Sequence, residues 1–568
     1  MASGKPLLLS KGVWDLSDWT TLDTTGALRI IGGGASRDDV VVRGAGDRSG
    51  VGINALHSLS LENLTLQDWN KPWRLTPGSQ TADIDLVRLN RIYFKDCIYW
   101  GYLQHNGVAS NQRLSAVEMD WIDGDCAGIA DEAQTWGMWL YGQIGRGVFD
   151  HIYGRDLNGT GLWVGAEDKA AQLETKLIQI GRVQFENLIG PSADEDVNGV
   201  SIRASLIQAN EIIVSACKKH DTLADPESPN IVEGQEGVYL KGYKAQIGSI
   251  IADRCRGEAA VALKGQAYAA DVAEEENPAI YQPAADLWQI DRVLTIADEA
   301  SAYSAGVEVK GVNGTLANVT THRARNFAVR ALGPTSRLAI RGLHAIDTVG
   351  THAVHITQGA GNIDLSDFNV DGLTGEQDPS GRVYAVDVTS TAGVKSADIA
   401  IRGGRFRIAA ENVTTDKVYA VRLSALGDGA GIDRVEISHN NFRQVASTTA
   451  LGNIMVRVET SGSGYIDELT IDRNVYPGRS STFSIGQLIE KASGSNVGNS
   501  VIRDGPYAST TARLSAQSDP QNQFKSLGLL MLNADNNVLY MATGRAASAA
   551  WHPIHLPIGD VSGDIAPT

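Results

Sequence analysis

The chain has 568 residues, with 49 basic against 66 acidic side chains and a formal net charge of −17. That balance repels nucleic-acid phosphates and anionic lipid surfaces at long range, so a nucleic-acid partner is excluded. The length exceeds what one compact core holds and calls for several domains or a repetitive solenoid, and 61 glycines beside 9 phenylalanines and 6 methionines favour an all-β chain with many turns over a helix bundle.

The chain starts Met1-Ala-Ser-Gly-Lys-Pro-Leu-Leu-Leu-Ser, whose apolar run is too short for a signal-peptide core, and no window approaches a membrane span. A protein made without classical secretion and without membrane insertion is expected. Residues 1–27, with Trp14 and Trp19, read as a cap or attachment segment, too short for a separate attachment domain.

From residue 28 onward the pattern repeats. Leu64-Thr-Leu, Ile92-Tyr-Phe, Val183-Gln-Phe and Ile212-Ile-Val recur before polar corners such as Gln67-Asp68, Lys95-Asp96 and Glu186-Asn187. In the middle, Leu316-Ala-Asn-Val, Leu338-Ala-Ile-Arg and Ile363-Asp-Leu-Ser keep step with Val307, Val329 and Val354 of a second strand series. Further on, Val386, Val421 and Val456 of one series accompany Ile399, Val435 and Leu469 of the other. Two alternating strands per turn, with coil lengths that vary, predict a right-handed parallel β-helix of the pectin-lyase-like kind over 28–509. About fifteen coils at ~4.8 Å would make a rod of roughly 70 Å. A β-propeller would need a recurrent blade motif, and none is found.

The glycines of Gly32-Gly-Gly34 and Gly44-Ala-Gly46 lack the Lys-Ser/Thr of a phosphate loop and read as tight turns. Cys97, Cys126, Cys217 and Cys255 show no C-x-x-C spacing, so buried free thiols are expected rather than a zinc knuckle or a disulfide framework.

The strongest local signal is aromatic. Five of eleven tryptophans fall between residues 100 and 163 (Trp100, Trp121, Trp136, Trp139 and Trp163), accompanied by Tyr99, Tyr102, Tyr141 and Tyr153. Sugar rings stack their C–H faces on such side chains, whose polar edges bond hydroxyls. Trp100, Tyr102, Trp136, Trp139, Tyr141 and Trp163 are therefore the candidate carbohydrate-binding residues; the competing reading has these rings filling the coil interior or a protomer interface.

Asp120, Asp123, Asp125, Asp131, Glu132, Asp150, Asp156, Glu167 and Asp168 lie in the same stretch. Glycoside hydrolysis needs two carboxylates about 5 to 10 Å apart, but among so many acids a suitable pair arises by chance, solvated corners are the favoured reading, and no catalytic pair is singled out. His105, Arg113, His151 and Arg155 are the groups a lyase would recruit, without a distinctive spacing. His352 and His355, three apart on a predicted strand, are expected on opposite faces and so not to share a metal. Residues 271–277, with Glu274-Glu-Glu276, read as an exposed insertion, and no metal or cofactor is implied.

After a Ser/Ala/Gln/Asp-rich linker at 510–523 come three short predicted strands, Leu527-Gly-Leu-Leu-Met-Leu, Val538-Leu-Tyr-Met-Ala and Trp551-His-Pro-Ile-His-Leu. They are too small to hold a core unaided, so 510–568 is read as a β trimerisation or end segment. The rungs together with Leu529-Leu-Met-Leu-Asn-Ala-Asp-Asn-Asn-Val-Leu-Tyr-Met-Ala-Thr-Gly make the chain similar to the spike proteins of tailed bacteriophages and of phage-derived particles such as gene transfer agents. The resemblance implies a homotrimer on a virion surface that binds host capsular or surface polysaccharide, made in the bacterial cytoplasm and attached at its N-terminus through an adapter protein. The alternative on the same scaffold is a polysaccharide depolymerase, a hydrolase or a lyase.

Overall fold

The computed structural model describes residues 6–18, 22–24, 26–48, 50–55, 57–75, 84–104, 114–129, 134–165, 175–190, 197–218, 236–257, 259–265, 287–297, 306–333, 335–374, 382–410, 417–447, 454–475, 489–492, 494–502, 507–509, 514–515, 530–533, 538–544, 546 and 548–554. They are all-β, in long parallel sheets whose strands come from successive turns of the chain, the arrangement of a β-solenoid. No helix among them is long and apolar enough to cross a membrane. The contacts divide the chain into two units, Met1–Ala317 and Asn318–Thr568.

In the first unit, one sheet stacks long strands in parallel register, among them Ser58–Gln67, Ile84–Lys95, Leu114–Asp125, Ile144–Leu157, Leu177–Ile189, Leu206–Lys218 and Lys244–Asp253. Register is set by apolar ladders facing inward. Ile92, Ile122, Ile152, Val183, Ile212 and Ile250 align coil upon coil, all buried, and each such side chain contributes roughly 1.5–3 kcal/mol. A one-residue slip would turn every ladder outward. The corners use polar residues that tolerate the left-handed region, Asp68, Asp96, Asp156 and Asn187 at φ of 58°, 51°, 55° and 54°.

The second sheet of this unit is built from shorter strands, including Lys71–Leu75, Tyr99–Gln104, Trp136–Tyr141, Leu162–Val164, Val200–Arg203, Glu236–Gly242, Ala259–Gly265 and Val307–Lys310. Parallel pairing begins before the residue 28 expected from sequence: Leu7–Leu9 pairs with Ala27–Gly32 and Gly12–Asp15 with Val40–Arg43. The alternation there is too short to stand out in sequence, and Leu7, Leu8, Val13 and Trp14 on these first strands are exposed.

The second unit repeats the plan. Val354, Val386, Val421 and Val456 stack in register on strands His352–Thr357, Arg382–Thr391, Lys417–Leu426 and Ile454–Ser461, and Ile399, Val435 and Leu469 do so on the other sheet. At the C-terminal end, Tyr507–Ser509 lies parallel to Leu530–Asn533, which continues antiparallel into Val538–Ala542 and Trp551–Pro553. Leu514, Tyr540, Ala542 and Trp551 form a small core here. Most of the 510–523 linker and the 271–277 insertion lie outside the described residues.

Candidate functional site

The second sheet departs from simple alternation in the same way on several coils. In Lys71–Leu75 and Trp136–Tyr141, two consecutive residues turn inward, Pro72 with Trp73 and Gly137 with Met138, so the outward side chains are three apart rather than two. Lys71 and Arg74, and Trp136 and Trp139, thus share one face.

On that face the rings meet. Tyr99 and Tyr102 pack edge-on at 5.1 Å, Trp136 and Trp139 at 4.4 Å. Between coils, Tyr99 stacks with Trp136 at 6.3 Å and Trp139 with Trp163 at 4.9 Å, while Tyr141 lies parallel to Trp139 at 6.1 Å. Register runs Tyr102, Trp139, Trp163, Ser201, Tyr239 up the sheet. Cations cap the rings: Lys71 Nζ sits 3.8 Å from the Tyr102 centroid, and the Arg203 guanidinium 4.1 Å from Trp163 and 4.7 Å from Tyr239. Burial, with Arg74 nearby, draws the Lys71 amine below its ordinary value.

Of the six sequence candidates, Tyr102, Trp136, Trp139 and Tyr141 are half-buried on this face, and Trp163 joins them at 7 % exposure. Trp100 does not. It points into the coil, fully buried between Phe94 at 5.7 Å and Phe185 at 6.0 Å. It fits because Gly124 lies against it; a Cβ there would stand 2.1 Å from the indole. Trp100 is therefore a core residue, corrected from the binding set: it occupies the first inward position of the three-residue step.

Sequence reasoning missed a cation column beside the rings. Arg203, Lys241, Lys264 and Lys310 pair in register on four successive coils. The signal was available, since Val200-Ser-Ile-Arg, Val238-Tyr-Leu-Lys, Val261-Ala-Leu-Lys and Val307-Glu-Val-Lys repeat one pattern.

On the long-stranded sheet, three of the five acidic candidates among the described residues are tied up. Asp125 binds Arg155 Nη2 at 2.5 Å, Asp123 binds Arg37, and Asp156 accepts from Asn187 Nδ2 at 2.5 Å. The Tyr153 hydroxyl donates to Glu186 at 3.1 Å. Asp120 and Asp150 instead converge on His151, whose Nδ1 lies 3.2 and 3.6 Å from their oxygens. These three donor atoms lie within 4.8 Å of one another, the one such grouping among the described residues with the spacing of a cation site, and it is largely exposed. Trp121, 56 % exposed, stacks on the His151 ring at 4.6 Å. His105, Arg113, Asp131, Glu132, Glu167 and Asp168 lie outside the described residues.

In the second unit the three-residue step returns. Ala353 and Val354 both turn inward, so His352 and His355 project together, ring centroids 4.2 Å apart, and not to opposite faces as strict alternation predicts. The next coils add Tyr384 with Asp387 and Tyr419 with Arg422. Asp387 is wholly buried, gripped by Arg422 and 3.6 and 4.0 Å from the two imidazoles. Burial would raise its carboxyl, but the Arg422 hydrogen bonds and charge outweigh that and hold it below the ordinary carboxylate value. Burial, then the neighbouring His352, draws His355 down to about 3. With the carboxylate already matched by a guanidinium, this cluster is built as a neutralised polar network, not an open cation site.

No family model, curated protein or solved structure matches the chain.

Proposed function

We propose that this chain is the spike of a phage or gene-transfer particle, a right-handed β-helix working as a homotrimer, that binds host capsular or surface polysaccharide. The observation that carries the reading is the aromatic face: Tyr99, Tyr102, Trp136, Trp139, Tyr141 and Trp163 brought together on consecutive coils, beside a column of cations. Rings offer platforms for pyranose faces, with polar edges that bond the sugar hydroxyls. The right-handed coil follows from the strong bias of parallel crossover connections. Trimer formation gives the small C-terminal sheet further surface to bury, and attachment to the particle uses an adapter protein at the other end.

The test compares binding of the purified protein to capsulated and capsule-free cells, with Trp136→Ala and Trp139→Ala alongside. Capsule-dependent binding that both substitutions reduce supports the reading; equal binding to the two cell types refutes it. Sedimentation of the same sample reads the trimer.

One observation favours the depolymerase as a second reading. Asp120 and Asp150 carry carboxylate oxygens within 4.8 Å of each other beside the exposed Trp121, near the spacing a retaining glycosidase uses. Shortening of capsule by the wild type, abolished in Asp120→Asn and Asp150→Asn, would establish it. Unchanged polymer length leaves the binding spike.

A further inference from the structure

The long-stranded sheet of the first unit carries a second feature, away from the aromatic face. Gln179, Gln208, Gln246 and Gln289 stand in register on four successive coils, all pointing outward. Arg146 donates to Gln179 Oε1 at 3.2 and 3.1 Å, Gln179 Nε2 donates to Gln208 Oε1 at 3.0 Å, and Gln289 Nε2 donates to Asp291 at 3.1 Å. Each primary amide has two donor hydrogens and two acceptor sites, so this lacing uses only part of the column's capacity.

Two residues along from this column, the face dips. Gly181 and Gly248 alternate with Asn210, between Asp150 and Asp291 on the flanking coils. A Cβ at Gly181 would stand 2.1 Å from Asp150 Oδ1, and one at Gly248 2.7 Å from the Asn210 carbonyl, so the backbone stays bare at both. The result is an open cleft of about 590 Å³, within the range of ligand sites. It crosses the coils of Asp150, Gln179, Gln208, Gln246 and Asp291, a run of about 19 Å at ~4.8 Å per coil. Its lining holds carboxylates and amides but no lysine or arginine.

We infer that this cleft binds one extended segment of an uncharged, hydroxyl-rich glycan, lying along the stack with its hydroxyls against the amide column. Evenly spaced groups that both donate and accept suit a polymer of repeated hydroxyls, which itself does both. The carboxylates of Asp150 and Asp291, without a cation in the lining, disfavour an acidic chain. The site is independent of the aromatic face and stands or falls apart from it.

The test is titration calorimetry of the full chain against uncharged gluco-, manno- and galacto-oligosaccharides long enough to span the cleft, with oligogalacturonate as the acidic control. At least one uncharged probe should bind, with an affinity unaffected by salt. Asn210→Trp, an exposed position in the cleft, should abolish that binding, and the Gln208→Ala/Gln246→Ala pair should weaken it roughly tenfold. The inference is overturned if none of the uncharged probes binds, if oligogalacturonate binds better in the cleft, or if affinity survives the cleft substitutions. Loss in Trp139→Ala alone would assign the sugar to the other face and equally overturn it. Thermal melting confirms folding, and should Asn210→Trp not fold, the glutamine pair decides.

Discussion

Arg422 holds Asp387 through two hydrogen bonds, Nε to Oδ1 at 2.8 Å and Nη2 to Oδ2 at 2.6 Å, on a carboxylate that solvent does not reach. The guanidinium also lies over the Tyr384 ring at 3.9 Å and reaches toward Glu459 at 3.5 Å. Removing it strands a buried negative charge. Arg422→Ala should cost about 3–5 kcal/mol, whereas Asp387→Leu with Arg422→Met should recover much of that loss. Urea midpoints of the three proteins check it; equal stability of Arg422→Ala and wild type would show that the pair is not load-sharing.

The same cluster sets an acid limit. In the unfolded chain the His355 imidazole takes its proton near 6.5, but in the folded chain it resists until about 3. Between those values the unfolded state binds more protons, so stability falls as pH drops through that window. Asp387, with its carboxyl held below the ordinary 3.8, adds a loss of the same sign at the acid end. His355→Gln should flatten the decline, which urea midpoints measured across the window would reveal; an unaltered slope would assign the acid sensitivity to other groups.

The thiols should be inert in the native protein. All four cysteines are free and buried; burial pushes Cys126 and Cys255 up to about 12 and raises Cys97 and Cys217 well above the ordinary thiol value. A thiol reagent should label none at neutral pH until denaturant is added. Rapid labelling of the folded chain would contradict the buried placement.

Trp100 and Trp139 should separate stability from binding. Trp100→Ala empties a packed interior and should cost about 3–5 kcal/mol, and Gly124→Ala, which drives a methyl into the same indole, about 1–3 kcal/mol. Trp139→Ala, half-buried on the outer face, should lower glycan affinity with a much smaller effect on the melt. The comparison is a denaturation curve and a binding isotherm for each variant.

Much of the coil was legible because inward residues cannot drift. The expected alignments of Leu64 with Ile92, Val183 with Ile212, Leu338 with Ile363 and Val386 with Val421 are register pairs in the structure. The site was less legible because a period of two fails where two neighbours both turn inward. That step hid the pairing of His352 with His355 and sent Trp100 to the core. Glycine partners such as Gly124, which make room for the indole, lie a coil away and leave no local sign. The amide column and the bare glycine cleft beside it left no local sign either, because their members lie a coil apart.

The three-residue step also divides the labour of the strands that carry it. The paired inward residues fill the interior, while the outward positions, although they too stand in register, face away from it. Chemistry on that face can therefore be rewritten one coil at a time, tryptophan on one turn and lysine on another, while the scaffold beneath keeps its shape. A sheet assembled this way is a rack of replaceable positions, whose outer chemistry can change without a new fold.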